Sequence, residues 1–146
     1  MADAAAAAVV AGAAVAKPRV LLVAPRDSYR TAPYIAAARK QGVDLLIASE
    51  GKLALSGLDL PGVQVSLHDA PGSLQAVLTA SQEQPFMGII GTDDASTELA
   101  VLASMHLQLP HNPLLSVRLA RRKDLARSHL ARAGVPVPRH WKIDLT

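Results

Sequence analysis

The strongest constraint on the fold is a run of short apolar segments alternating with segments of helical spacing. "RVLLVAP" (Arg19–Pro25) is β-branched and Leu-rich and is ended by Pro, which makes it a buried strand. "TAPYIAAARKQG" follows as a helix, with Thr31 as its cap, Pro33 in its first turn and Gly42 as its stop. "VDLLIAS" is a second strand and "GVQVSLHD" a third, shorter one. "GSLQAVLTASQE" carries apolar residues at helical intervals. "PFMGIIGTDD" is a fourth strand that runs into Gly91 and an acid pair. "ASTELAVLASMHLQL" is a further helix, stopped by Pro110. Strands of this length between helices of about a dozen residues argue for βαβ units and a parallel sheet. The strands are apolar on both faces, as expected when helices cover both sides. With right-handed crossovers, this predicts an α/β, Rossmann-like three-layer sandwich. Its short parallel sheet has about four strands, and a C-terminal helical linker follows.

Half of the 146 residues are apolar but only four are aromatic, so Val, Leu, Ile and Ala must build the core. The absence of cysteine excludes a disulfide scaffold, a thiolate metal site and a Cys nucleophile, and it fits a cytoplasmic protein. Charge divides the chain. Residues 1–111 hold 7 Lys/Arg against 10 Asp/Glu, a net of −3, whereas residues 112–146 hold 8 against 2, a net of +6. The expected organisation is an Ala-rich leader (1–16), frayed or loosely helical, then a Rossmann-like domain (17–111), then a basic linker (112–146). "AVA" at the end of the leader looks like a cleavage site, but no cationic region precedes it. No stretch has the ~20 strongly apolar residues of a membrane span.

In such sheets ligands bind at the carboxyl ends of the strands, which directs attention to two loops. "PRDSYRT" (Pro25–Thr31) has no glycine, so the dinucleotide fingerprint is missing. Its Arg26, Asp27, Ser28 and Arg30 suit a polar or carboxylate-bearing ligand, or simply a polar loop that caps the next helix. In "GTDDASTE", Asp93 and Asp94 suit a substrate amine or a share in a metal site, or the capping of the helix that follows. The five histidines are scattered without metal-ligand spacing, and no metal site is expected.

The basic stretch "ARRKDLARSHLARAGVPVPRHW" is expected to form one helix from about Leu119 to Ala133, with Gly134 just past its end and Pro136 barring continuation. Leu119, Ala126, Leu130 and Ala133 would form its buried stripe. Lys123 lies at the edge of that stripe and Arg127 one step further round, while Arg121 has no such constraint. The cations are spread round the cylinder, unlike the single basic face of a duplex-binding helix, so a nucleic-acid partner is not expected. Lys123 either snorkels or points into a cleft beside the next element.

The order of strand, Gly, Asp93–Asp94, Ala-rich helix, "LQLPHN", Lys123, Arg127, Leu130 and "AGVPVP" resembles the passage from the N-terminal domain into the nucleotide-binding domain of ATP-grasp enzymes. Biotin carboxylase, glycinamide ribonucleotide synthetase and other carboxylate–amine ligases share this plan. The resemblance spans Lys17 to Pro138, and Arg122 departs from the Asp or Asn usual before the lysine. It implies ATP and Mg²⁺ as cofactors of a full-length parent. In that parent Lys123, with Arg127, would meet nucleotide phosphate, and the two loops would face a small-molecule carboxylate or amine substrate.

The family reaction makes an acylphosphate from a carboxylate and ATP, which an amine then attacks. The glycine-rich loop and metal-binding carboxylates of the family lie beyond "GVPVP". The chain is therefore expected to be a truncated N-terminal, substrate-side domain, inactive without the C-terminal ATP-grasp domain, with homodimerisation left open. The alternative is a non-enzymatic small-molecule binding domain of the periplasmic-binding or sugar-sensor type.

Overall fold

A computed structural model of the chain describes residues 17–51 and 60–143. The Ala-rich leader expected to be loosely helical lies outside the described residues. Four strands, β1 (Arg19–Val23), β2 (Asp44–Ser49), β3 (Gly62–Gln64) and β4 (Gly88–Gly91), form one parallel sheet in the order β3-β2-β1-β4. β1 lies in the middle, with Leu21 beside Leu46 on one side and beside Ile89 on the other.

The expected α/β sandwich is the observed one, and its layers follow from the two-residue period of the strands. Leu21, Val23, Leu46 and Ala48 face one way. There they pack with Val77 of α2 (Ala70–Glu83) and with Leu99, Ala100 and Ala103 of α3 (Thr97–His106). Leu22, Leu45 and Ile47 face the other way, against Ile35 of α1 (Thr31–Gln41). Both faces are covered by helices, which is why no strand alternates between apolar and polar residues.

Helix ends show how local chemistry sets the boundaries. α1 begins at Thr31, with Arg30 in the capping position and no side-chain cap, so Thr31 is the first helical residue rather than the cap. Gly42 ends it at φ +66°, and the Val43 N–H bonds the Ala38 carbonyl at 2.9 Å, closing the turn. Asp69 caps α2 by accepting from the Gly72 N–H at 3.0 Å. At the other end of α2, Arg19 donates to the Ala80 and Gln84 carbonyls at 3.1 and 2.8 Å, over the Phe86 ring. The first residue of β1 thereby satisfies carbonyls that the helix itself leaves open.

α3 stops at His106, four residues before the Pro110 expected to end it. Gln108 takes a left-handed conformation (φ 56°), and the Leu109 N–H bonds the Ser104 carbonyl at 2.9 Å. The basic stretch differs more. The single helix expected over 119–133 is two, α4 (Leu114–Arg121) and α5 (Lys123–Arg132), separated by an extended Arg122 at φ −119°, ψ 94°. Arg122 donates to Asp124 through Nε and Nη2, at 3.0 and 2.8 Å, across that break. The proposed buried stripe is not buried: Leu119 and Ala126 are half-buried, Leu130 and Ala133 are exposed, and neither helix has a buried residue. Gly134 does end α5, at φ +78°. No described helix is long and apolar enough to cross a membrane.

Candidate functional site

β2 lies on one side of β1 and β4 on the other, so the loops after β1 and β4 part company at the carboxyl edge. Sheets of this kind open a crevice at that point. A cleft of ≈ 390 Å³ lies there, lined by Pro25, Arg26, Asp27, Ser28, Tyr29 and Arg30 of the first loop, Glu50 after β2, and Asp93 after β4. Five of the six substrate-side residues expected from the sequence therefore share one cleft. Asp94 is exposed and does not line it.

Hydrogen bonds fix the walls. Arg30 donates from Nη1 to the carbonyl of the buried Thr92 at 2.6 Å, joining the loop after β1 to the loop after β4. Its Nε donates to the Tyr29 hydroxyl at 3.2 Å, with the guanidinium 5.5 Å over that ring. The hydrogen bond to the Tyr29 hydroxyl and the electrostatic attraction of that group, with a smaller contribution from Asp93, hold the pKa of the exposed Arg30 above its ordinary value. Asp93 closes the turn that leads into α3, whose own capping position is Ser96 with no side-chain cap, so neither acid caps that helix as expected. The Asp93 Oδ1 accepts from the Ala95 and Ser96 N–H groups at 3.1 and 3.3 Å, and its Oδ2 from the Thr92 hydroxyl at 3.0 Å. Asp94 lends only its backbone carbonyl, to the Thr97 hydroxyl at 3.0 Å.

Glu50 is a site residue that sequence reasoning missed. Its Oε1 accepts from the Leu67 N–H at 3.1 Å, tying the end of β2 to the segment after β3. The signal was available, because Glu50 directly follows a strand whose carboxyl end faces the same edge. A second cavity, ≈ 370 Å³, lies at the amino edge beside Lys17, Arg39 and Leu60. There the buried Arg19 is committed to the carbonyls of α2.

Lys123 does not line the cleft. It is the exposed first residue of α5, with Arg127 one turn on and half-buried, and neither side chain makes a hydrogen bond or ion pair among the described residues. Arg121 is more constrained than its sequence position indicated. It and Arg118 both bind Glu98 in the first turn of α3, at 3.0 and 2.9 Å. Among the described residues, no group of three or more His, Asp or Glu could hold a metal ion.

No protein-family model matches the sequence, and no curated protein does. Among solved structures, an L-amino acid ligase from Bacillus licheniformis is similar with a TM-score of 0.68 and 19% identity, over 84% of this chain and 32% of that one. MurG from Acinetobacter baumannii is similar with a TM-score of 0.55 and 12% identity, over 71% of this chain and 39% of that one. The chain thus spans about a third of each neighbour, and at such identities the likeness is one of fold: the described sandwich is an architecture that a ligase and MurG both use.

Proposed function

We propose that this chain forms the N-terminal, substrate-side domain of an ATP-dependent carboxylate–amine ligase of the ATP-grasp type. The observation that carries the reading is the extent of the ligase match. A share of 84% of 146 residues is about 123, more than the 111 that precede the linker, so part of α4, α5 or the tail belongs to the likeness as well as the sheet. Those elements hold the lysine, arginine and "GVPVP" pattern by which the sequence resembles that family.

In this reading the cleft at the carboxyl edge faces a small substrate. Lys123 and Arg127, four residues apart on α5, face nucleotide phosphate, where two unpartnered cations suit an anion. The bond-forming step joins a carboxylate to an amine at the expense of ATP, leaving ADP and phosphate. Mg²⁺ would neutralise the phosphates in that transfer, and the described residues offer no site for it. Its ligands, and the surfaces that recognise adenine, belong to other parts of such an enzyme, which works in the cytoplasm.

The test is an ADP-release assay on the product of the complete reading frame, with amino acids supplied in pairs. ADP release should depend on both partners, and Lys123→Ala should abolish most of it. ADP release that ignores every carboxylate and amine offered, or a Lys123→Ala protein as active as the parent, would overturn the reading. The 146-residue chain by itself should show negligible ATP binding by calorimetry, and micromolar affinity would contradict the division of labour.

A further inference from the structure

Five charged side chains line the cleft at the carboxyl edge, and the fold uses three of them on itself. Arg30 is bound to the Thr92 carbonyl, Glu50 to the Leu67 N–H, and Asp93 to the Ala95 and Ser96 N–H groups. Arg26 and Asp27 are different: neither makes a hydrogen bond or ion pair among the described residues.

Arg26, though exposed, touches the fold at Gly51. A Cβ at Gly51 would lie 3.3 Å from its Nη2 and 3.5 Å from its Cζ, so the guanidinium rests against the bare backbone of that glycine. Gly51 sits at φ +75°, a conformation that side chains avoid, so the same residue both turns the chain after β2 and leaves room for the arginine. A planar fork resting on backbone, with its donors unused and facing a cleft, is the arrangement that receives a pair of oxygens. Three carboxylates around it (Asp27, Glu50 and Asp93) make a dianion a poor fit. A monoanionic carboxylate, with its remaining polar atoms toward Asp27, meets less repulsion.

We propose that Arg26 is the carboxylate-receiving residue of the cleft and that Arg30, the more conspicuous arginine, is a positioning residue that holds the opposite wall. The proposal rests on the ligase reading only for the expectation that a carboxylate is a substrate group. The free fork and the engaged one are features of the structure itself.

The experiment is an NMR titration of the 146-residue chain that follows the Nε–Hε signals of Arg26 and Arg30, first with acetate and then with inorganic phosphate. Acetate should move the Arg26 signal to saturation and leave the Arg30 signal nearly still. Arg26→Gln should weaken acetate binding by about tenfold or more, and Arg26→Lys by less, because charge remains but the fork is gone. Gly51→Ala should weaken it by displacing the guanidinium.

An Arg26 signal that stays still, or an Arg26→Gln protein that binds acetate as the parent does, would overturn the assignment. Phosphate binding tighter than acetate would overturn the carboxylate in favour of a phosphate ligand. If Arg26→Gln fails to fold, the parent's own Arg26 signal still decides. ADP release with an unmoved Arg26 would sink this assignment and leave the ligase reading standing, whereas acetate bound at Arg26 without ADP release would do the reverse.

Discussion

The guanidinium of Arg30 stands 2.6 Å from the carbonyl oxygen of Thr92, sixty-two residues away in the chain. That bond joins two loops that the sheet order sends to opposite sides of a crevice, and it makes the cleft a walled feature. Thr92 is 3% exposed, so water has little access to replace Arg30 at the carbonyl. Arg30→Gln should therefore raise amide exchange at Ala95 and Ser96, whose N–H groups depend on the Asp93 carboxylate next to Thr92. Tyr29→Phe keeps the ring under the guanidinium and removes only the 3.2 Å hydroxyl bond, and should leave exchange almost unchanged. Hydrogen exchange read by NMR separates the two variants.

Glu98 holds two arginines of α4 at once, Arg118 at 2.9 Å and Arg121 at 3.0 Å. The arginine side chains are 55% and 38% exposed, so each pair is worth roughly 0.2–1 kcal/mol and is screened by salt. Glu98→Gln should cost about 1 kcal/mol at low ionic strength and clearly less in 1 M salt. Urea melts at the two salt concentrations provide the check. The loss should be accompanied by faster exchange in α4.

Asp124 accepts from Arg122 where α4 gives way to α5. That hydrogen bond, with smaller help from the Leu125 N–H and against some desolvation, holds its carboxyl below the ordinary aspartate value. A lowered folded-state pKa gives stability that is complete above the unfolded value, about 3.9, and is lost as pH falls through the lowered one. The start of α5 should therefore fray only below about pH 4, and Asp124→Asn should remove that acid transition. Carbon-13 titration of the Asp124 carboxyl, with the α5 amide shifts as reporter, tests both statements.

Gly91 ends β4 where α3 crosses close above it. A Cβ there would lie 3.0 Å from the Thr97 Cα and 3.2 Å from the Ser96 carbonyl carbon, and backbone cannot swing aside as a flexible side chain can. Gly91→Ala should cost roughly 1–3 kcal/mol by overpacking. Leu99→Ala, on the same helix and fully buried, should cost roughly 2–5 kcal/mol by leaving a cavity. Denaturant midpoints measure both, and a neutral Gly91→Ala would show that α3 can retreat.

The fold was largely legible because its signals are local. "RVLLV" and "DLLIAS" are short apolar runs of the kind a doubly covered strand shows, and Gly42 and Gly134 supply the left-handed residue at the ends of α1 and α5, whereas after α3 Gln108 does so. The break at Arg122 was not legible, since arginine is a good helix former and the apolar period runs across it. An ion pair with Asp124, two residues on, accompanies the extended conformation there. Of the cleft, the two loops could be found from the carboxyl-edge rule, and Glu50 could have been found by applying the same rule to β2.

By itself, then, the sequence determined a parallel α/β sandwich, the two loops at its carboxyl edge, and a basic C-terminal stretch, because periodicity, turn residues and charge are properties of neighbours along the chain. Only the tertiary structure decided which charges are spent and which are free. Arg26 and Arg30 are equivalent letters in "PRDSYRT". One rests unpaired on Gly51 and the other is bound to Thr92, and that difference depends on residues 25 and 62 positions away, brought together by the strand order.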